Sequence, residues 1–233
     1  ILCRPTDVEK GLFKILKKAG LDYVFLGVES GSPNSLKILN KGFTVKENRN
    51  AIKILRELDI NVDLGFIMFH PYMTLDDVEQ NLEFLEQVGC CKLPNLTSDL
   101  TVFIGTPIEK KLHHDHLIIN TNDFEITYSM MDRHTEILRE YILKYQASVK
   151  EIDAQINDLL ERLHIEKNTL GKLHIECAKN LMNAIKQDAE SRKLKKLISL
   201  YKTKLLMLLL ELKECKGNYY DGVTQHFSNN TNL

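Results

Sequence analysis

Residues 21–42 restrict the fold of this chain most, because an apolar strand there ends in a polar turn and passes directly into a helix. The strand is broken only by Gly27 and comprises Tyr23, Val24, Phe25, Leu26 and Val28. Such a run is typical of a parallel strand that is covered on both faces. Ser32 can cap the following helix, and Pro33 suits its first turn. We therefore expect one strand–helix unit of an α/β fold here.

Two more strand–helix units follow with short connections. Thr44 and Glu47 form a capping box that predicts one helix start, and Thr74 predicts the next. Apolar residues predict a strand over residues 60–68 and a further strand over residues 100–104. Repeated units of this kind predict a parallel sheet with right-handed crossovers. About three or four strands can form only a partial barrel, since a closed barrel of this type takes eight.

The second half of the chain predicts helices. All five prolines lie at or before Pro107, and Gly171 is the single glycine between Thr106 and Lys216. Apolar residues follow a helical period there, which predicts a helical hairpin or bundle with breaks near residues 168–171 and 190–191. The fold class is therefore α/β, a partial parallel (β/α) barrel followed by an α-helical region. The expected divisions are a partial barrel over residues 1–120, a connector over 121–131, helices over 132–216 and a disordered tail over 217–233.

Composition indicates a globular protein of a reducing compartment. The charges nearly balance, with 31 Lys and Arg against 32 Asp and Glu, so we do not expect a nucleic-acid partner. The most apolar run, residues 205–210, is far shorter than the roughly 20 residues of a membrane span, so no membrane partner is expected. The cysteines lack a disulfide framework, which predicts free thiols and a cytoplasmic location. Because Ile1 reads as part of a strand, we also expect a piece of a longer protein.

Polar side chains mark the predicted strand ends as a candidate site. Glu29 and Ser30 follow the first strand at its carboxyl end, where α/β folds place ligand contacts. An acidic helix entry explains Glu29 equally well from spacing alone. Lys41 at the end of the next helix is typical of a cation that stabilises a helix C-terminus. Gly65 and Ile67 belong to the second strand and fit a plain core strand.

A histidine-rich stretch does not predict a metal centre. His113, His114, Asp115 and His116 include no helical pair of histidines four residues apart, and no cysteine lies nearby. Zinc sites usually show one of those spacings. We therefore expect a solvated polar loop, and we predict no metal ligand in this chain.

The polar strand ends also resemble the radical S-adenosylmethionine (SAM) superfamily. The pattern G-V-E-S-G-S-x-x-x-L-K-x-L-N-K-G in residues 27–42 is followed by a helix and by G-F-I-M-x-x-P-x-x-T in residues 65–74. The resemblance covers roughly the first half of the chain and is greatest to members with an N-terminal cobalamin-binding domain. On that comparison, the chain keeps the fourth to sixth strands of a six-stranded partial barrel. The family's Cys-x-x-x-Cys-x-x-Cys loop, which holds a [4Fe–4S] cluster, is absent from this sequence.

The resemblance implies an enzyme that reductively cleaves SAM to a 5′-deoxyadenosyl radical. It implies a [4Fe–4S] cluster with ligands upstream of residue 1, a reductant such as flavodoxin or ferredoxin, and cobalamin in the full-length protein. By the same resemblance, Glu29 with Ser30 corresponds to the position that binds the SAM ribose hydroxyls, and Lys41 to the cation that pairs with the SAM carboxylate. Gly65 and Ile67 correspond to a strand motif beside the adenine. We expect this segment to form part of the SAM cradle, without a catalytic residue and inactive alone.

Two other functions remain open from the sequence. One is a non-catalytic interaction protein, built on a degenerate half-barrel with a helical docking arm. The other is an unrelated βα-barrel enzyme that binds a phosphorylated metabolite at its strand ends. The upstream sequence would distinguish them, since a three-cysteine loop there supports the SAM enzyme and its absence supports the interaction protein.

We predict that this chain by itself binds no [4Fe–4S] cluster. Its cysteines lie far apart in sequence or side by side, as Cys90 and Cys91 do, whereas a cluster takes several thiolates at one site. Anaerobic reconstitution followed by iron and sulfide analysis measures this directly. A stable, stoichiometric cluster on the chain would contradict the prediction.

Overall fold

Three parallel strands form the main sheet. A computed structural model describes residues 1–121, 125–165 and 168–230, with side chains described as far as residue 214 except at position 168. The strands lie in the order β1 (Leu2–Cys3), β2 (Tyr23–Glu29) and β3 (Asn61–Phe66). A short 3-10 helix lies at Pro5–Asp7, and the sheet is accompanied by α1 (Lys10–Lys18), α2 (Pro33–Ile38), α3 (Val45–Glu57), α4 (Leu75–Gln87) and α5 (Leu93–Thr97).

The capping residues start the helices as predicted. Ser32 accepts a hydrogen bond from the backbone N–H of Ser35, and Pro33 begins α2. Thr44 and Glu47 form the capping box of α3, and Thr74 caps α4 in the same way. Each cap satisfies backbone N–H groups that have no partner within the helix.

The prediction that β2 is covered on both faces is wrong. Val24, Leu26 and Val28 are fully buried against the helices, whereas Tyr23 and Phe25 are 45% and 38% exposed. The reason is the two-residue period of a strand, which sends alternate side chains to opposite faces. In the part of the chain that the structure describes, helices cover only one of those faces. The predicted fold class, an α/β partial barrel followed by helices, is confirmed. The three parallel strands form an open sheet with helices between them, and long helices follow.

The fourth strand differs from the prediction. Residues near Ser98 do continue the parallel order, since the N–H of Met68 bonds to the Ser98 carbonyl at 2.9 Å and a parallel bridge joins Phe69 to Asp99. The predicted strand over residues 100–104 is instead the shorter β4 (Val102–Phe103), and it pairs antiparallel with a later strand, Glu125–Tyr128.

A second, antiparallel sheet lies in the order β4–β6–β5, with β5 at Ile118–Thr121 and β6 at Glu125–Tyr128. The helix α6 (Pro107–His114) precedes it. The strand β6 lies within residues 121–131, where the sequence predicts a connector. The sequence does not predict this strand, because the polar composition of the segment gives no sign of strand pairing. Residues 122–124 of that connector lie outside the described residues.

Long helices form the second half of the chain. They are α7 (Arg133–Arg162), α8 (Asn168–Lys186) and α9 (Ser191–Asn230), and they pack mainly upon one another. The predicted break at residues 168–171 occurs earlier in the structure, since α7 ends at Arg162 and α8 begins at Asn168. Gly171 therefore lies inside α8. A Cβ atom at Gly171 would lie 2.7 Å from the Cβ of Cys91, so the glycine allows α8 to approach the loop after α4 closely.

The backbone of α9 is helical as far as Asn230, which lies within the predicted tail over residues 217–233. The predicted disorder of that tail stays a prediction. Residues 231–233 lie outside the described part of the chain. None of the helices searched within the described residues is long and apolar enough to cross a membrane.

Ion pairs connect these helices to the partial barrel. Arg139 of α7 donates from Nε to both carboxylate oxygens of Asp99, at 2.9 and 3.0 Å. On α8, Lys179 pairs with Glu86 of α4 at 2.6 Å. The Arg139 pair is about 30% exposed and bidentate, so it fixes orientation better than a single exposed contact would.

We predict that residues 132–216 fold as a separate unit. Because α7, α8 and α9 bury their apolar faces mainly against one another, the isolated segment should give a strong helical circular dichroism signal and a cooperative thermal melt. A lone helix would melt gradually, since its stability rests on propensity rather than on tertiary packing. A random-coil spectrum would show that the boundary is wrong.

Candidate functional site

Glu29 ends β2 in a left-handed backbone conformation. Its φ angle is 65°, and the pairing of β2 with β3 shifts register between Gly27 and Glu29. A residue with a Cβ atom pays a free-energy cost of about 1–3 kcal/mol in such a conformation. The surrounding contacts therefore hold the carboxylate in a defined position at the strand end.

Lys41 lies directly beside this carboxylate. Its Nζ is 3.3 Å from Glu29 Oε2, and the two side chains are 28% and 25% exposed. The turn that carries Lys41 contains Asn40 and Gly42, both with positive φ. Arg4 steadies this turn by donating from Nη2 to the Lys41 carbonyl at 2.7 Å. The structure thus brings together two predicted site residues that are twelve positions apart in the sequence.

Gly65 and Ile67 lie at the same end of the sheet. Gly65 pairs with Gly27, and a Cβ atom on Gly65 would lie 2.8 Å from Cε1 of Phe25. Ile67 is half-buried, and its N–H donates to the Glu29 carbonyl at 2.7 Å. Gly65 therefore leaves room for the ring of Phe25, and Gly27 leaves room for the carboxylate of Glu29, whose Oε1 would lie 3.3 Å from a Cβ atom there.

Ser30 has a different environment from Glu29. It is fully buried, its hydroxyl donates to Asn81 Oδ1 at 2.7 Å, and its oxygen accepts from the Ser32 N–H at 3.0 Å. These bonds occupy the hydroxyl behind the strand end. In this structure Ser30 holds the turn after Glu29, and its predicted contact with a cofactor stays a prediction.

Asn81 of α4 connects the ends of β2 and β3. Its Oδ1 accepts from the Gly31 N–H at 2.7 Å as well as from Ser30, and its Nδ2 donates to the Ile67 carbonyl at 3.3 Å. Gly31 itself packs against α4, where a Cβ atom would lie 2.3 Å from the Cβ of Phe84. Sequence reasoning did not identify Asn81, because an asparagine inside a helix carries no signal of a distant partner.

Asp77 supports the start of α2 from the start of α4. It forms the capping box with Thr74 and also accepts from the Ser32 hydroxyl at 2.5 Å and from Asn34 Nδ2 at 3.1 Å. Burial by itself raises the pKa of this carboxyl, but the hydrogen bonds from Ser32, Thr74 and Asn34 outweigh it and hold the pKa below its ordinary value. The capping box is visible in the sequence, whereas the bonds to α2 are not.

Asn48 of α3 holds the bulge at Glu29 from the other side. Its Nδ2 donates to the carbonyls of Val28 and Ser30, at 2.9 and 3.1 Å. Its Oδ1 is buried and has no hydrogen-bond partner among the described residues. The two carbonyls that flank Glu29 are therefore fixed by a single side chain.

His70 completes the buried polar layer behind the strand ends. Its Nδ1 accepts from the Tyr72 N–H at 3.3 Å, so its Nε2–H donates to Ser35 Oγ at 2.9 Å. Burial lowers the pKa of His70 from 6.5 to about 4, the nearby Asp77 carboxylate opposing this shift only in part. The histidine is therefore neutral at pH 7 and acts as a structural hydrogen-bond donor.

The described residues do not fit an iron–sulfur cluster. No group of three or more potential metal ligands occurs among them, and a cluster needs several cysteine thiolates at one site. Residues 113–116 are not wholly the polar loop that the sequence predicts, because His113 and His114 form the end of α6 and only Asp115 and His116 lie in the turn after it. Their contacts are local, such as the 2.8 Å bond between His114 Nδ1 and Asp115 Oδ1. The side chain of Cys215 lies outside the described residues.

Comparison with known proteins relates the first part of the chain to one superfamily. The model of the radical SAM superfamily matches residues 1–85. Over 84 residues, the chain is 43% identical to 4′-phospho-dehydrooxetanocin synthase of Priestia megaterium, and the match covers 36% of this chain and 11% of that protein. Over 79 residues, it is 40% identical to an anaerobic magnesium-protoporphyrin IX monomethyl ester cyclase of Cereibacter sphaeroides, covering 33% of this chain and 13% of that protein.

A solved structure shares the fold over nearly the whole chain. It is that of OxsB, a cobalamin-dependent S-adenosylmethionine radical enzyme with aqua-cobalamin bound, and it superimposes with a TM-score of 0.73. The similarity covers 95% of this chain and 43% of that one, at 18% sequence identity. At this identity the likeness concerns the fold. The chain thus spans less than half the length of each of these proteins, 11% and 13% of the two relatives and 43% of the solved structure.

We predict that the stability of the protein falls as the pH is lowered from 6.5 towards 5. The folded-state pKa of His70, about 4, lies below the ordinary 6.5, so in this range the unfolded state binds the proton and the folded state does not. The stabilisation is fully present above pH 6.5, and about 2 kcal/mol of it is lost by about pH 5. Urea unfolding at a series of pH values measures this loss.

The matched variants are His70→Gln and His113→Gln. Gln at position 70 can still donate to Ser35 but does not titrate, so the decline between pH 6.5 and 5 should largely disappear. His113 is exposed, and its replacement should leave the profile unchanged. Parallel profiles for the wild type and His70→Gln would contradict the assignment.

Proposed function

We propose that the strand ends of this chain form part of a SAM-binding cradle, because residues 1–85 match the model of the radical SAM superfamily. Glu29 binds the ribose hydroxyls in this proposal, and Lys41 binds the carboxylate of the methionine moiety. Gly65 and Ile67 line the adenine. The enzyme in which the segment acts belongs to the class that reductively cleaves SAM to a 5′-deoxyadenosyl radical.

The ion pair between Glu29 and Lys41 carries the proposal. Two opposite charges lie 3.3 Å apart at the carboxyl ends of parallel strands, and each keeps about a quarter of its side chain exposed. An ammonium group can pair with a ligand carboxylate as a point charge. A carboxylate can accept hydrogen bonds from both hydroxyls of a vicinal diol. SAM carries a carboxylate and a vicinal diol, so it can replace the internal contact on both sides.

The backbone around the pair suits a flat, partly apolar group. Gly27 and Gly65 are paired in the sheet, the partly exposed ring of Phe25 lies over Gly65, and the apolar residue Ile67 is half-buried. Such a surface supports adenine by contact with its face, while hydrogen bonds of Asn48 and Asn81 keep the strand ends in place. The residues of this chain therefore bind and orient the cofactor, and they exclude water from one side of it.

The remaining parts of the reaction are proposed to come from outside the described residues. The cluster that supplies the electron requires thiolates, which the described residues do not group together. The superfamily implies a reductant such as flavodoxin or ferredoxin. The likeness in fold to a cobalamin-dependent enzyme also supports cobalamin as a further cofactor of the whole protein.

We predict that Glu29→Ala weakens SAM binding. The change removes two hydrogen bonds to a charged acceptor, each worth about 1.5–3 kcal/mol, so the loss of affinity should reach at least tenfold. Isothermal titration calorimetry with the purified full-length protein measures the dissociation constant. Lys41→Met should weaken SAM binding as well, but should spare the affinity for adenosine, which lacks the carboxylate.

The matched control is Glu57→Ala. Glu57 is a carboxylate at the end of α3 that pairs with Lys10 at 2.6 Å, away from the strand ends. Its removal should leave SAM affinity unchanged. Equal affinity of the wild type and Glu29→Ala would exclude Glu29 from the ribose contact. A wild-type protein that does not bind SAM at all would favour the non-catalytic interaction protein.

A further inference from the structure

A cavity lies where α7 and α8 pack on the partial barrel. Its volume is about 430 Å³, and we call it the junction cavity. It is lined, among others, by Arg56 of α3, Val62 of β3, Cys90 after α4, Leu93 of α5, Asp153 of α7 and Lys172 of α8. The volume lies within the range of about 300–1,000 Å³ that is usual for small-molecule sites.

The junction cavity is distinct from the proposed SAM site. Val62 is near the amino end of β3, whereas the other end of that strand pairs with Glu29. Arg56 lies in the last turn of α3, which in a strand–helix–strand unit is at the same end as the start of the following strand. The two sites therefore lie at opposite ends of the sheet.

The charges that line the junction cavity do not cancel. The cations Arg56, Lys92 and Lys172 face two carboxylates, those of Glu86 and Asp153. The Lys, Arg, Asp and Glu side chains of the lining carry a net charge of +1, from three cations minus two anions. A ligand with a single negative charge would balance this surplus.

Most of the charged groups are already paired. Lys92 pairs with Asp63, and Glu86 pairs with Lys179 at 2.6 Å. Asp153 accepts from His174 Nε2 at 2.8 Å and from Asn157 Nδ2 at 3.1 Å.

Two cations remain for a ligand. The guanidinium of Arg56 donates to Cys90 Sγ at 3.1 Å, and neither it nor the ammonium of Lys172 has a carboxylate partner among the described residues. These two groups come from the barrel and from α8, respectively.

The rest of the wall is apolar and firmly held. Apolar surface comes from both parts of the protein, through Val62, Leu93, Pro94 and Leu170. The side of α7 and α8 is fixed by a buried hydrogen-bonded chain, in which His174 joins Asp153 to the hydroxyl of Tyr145 at 2.8 Å on each side. A concave apolar surface with a few polar groups at defined positions is the usual form of a ligand site.

We propose that the junction cavity binds a small amphipathic monoanion, an apolar body that carries one carboxylate. The carboxylate lies between Arg56 and Lys172, and the apolar body contacts Val62, Leu93 and Leu170. Because the ligand contacts both the barrel and α8, its binding stabilises the packing of the helical region on the barrel. This proposal does not depend on the proposed SAM site.

Octanoate is a suitable probe, with an eight-carbon body and one carboxylate. Calorimetric titration of the whole chain should show saturable binding at one site in the millimolar range or tighter. The double variant with Arg56→Gln and Lys172→Gln should bind at least tenfold more weakly, since two charge-assisted contacts are lost. Lys53→Gln, which removes an exposed cation from the same α3 helix, should bind as the wild type does. Octanamide, which lacks the charge, should bind more weakly than octanoate to the wild type.

Methyl resonances in NMR spectra locate the ligand independently of any variant. Octanoate should shift the methyl signals of Val62, Leu93 and Leu170, with those of Leu200 and Leu210 on the exposed face of α9 unchanged. Unchanged circular dichroism would show that the double variant is folded. The proposal is wrong if octanoate does not saturate at millimolar concentration, if the double variant binds equally well, or if the shifts occur on α9 instead.

Discussion

The side chain of Asn81 is the contact on which the candidate site depends most. It bonds to Ser30, Gly31 and Ile67, and thereby joins the ends of two parallel strands to α4. A buried polar group left without its partner costs about 1–3 kcal/mol, so these three bonds favour one arrangement of the strand ends strongly. The left-handed conformation of Glu29 persists because this contact and the matching one from Asn48 determine the backbone on both sides.

The buried polar layer around His70 and Asp77 supports the backbone that carries Glu29 and Lys41. Ionised Asp77 holds α2 to α4 through the Ser32 hydroxyl, and neutral His70 holds α2 to the loop before α4 through the Ser35 hydroxyl. Glu29 and Lys41 lie in front of this layer and pair with each other, with part of each side chain open to water. An internal ion pair of this kind costs little to separate when a ligand offers the same charges and hydrogen bonds. The buried hydrogen bonds thus hold the strand ends rigidly, while the Glu29–Lys41 ion pair can be replaced by contacts with a ligand.

The two ends of the sheet differ in chemistry. The carboxyl end has opposite charges that balance each other, whereas the junction cavity at the amino end has two cations without a carboxylate partner among the described residues. The helices α7 and α8 form one wall of that cavity, so they take part in a site as well as in packing. This role could not be inferred from their sequence, in which Asp153 and His174 occupy ordinary helical positions.

The sequence by itself determined the local features of this protein. Apolar runs and caps such as Thr44 and Thr74 predicted β2, β3 and the helices that follow them, because strand and helix periods and capping bonds act over a few residues. The motif in residues 27–42 also named Glu29 and Lys41 as a pair of candidates. Tertiary structure decided which face of β2 is open to solvent, as at Phe25, and which strand pairs with β4. It also decided that Asn48, Asn81 and Asp77 converge on one strand end. These outcomes depend on contacts between residues about twenty to fifty positions apart, and no local pattern in the chain specifies such contacts.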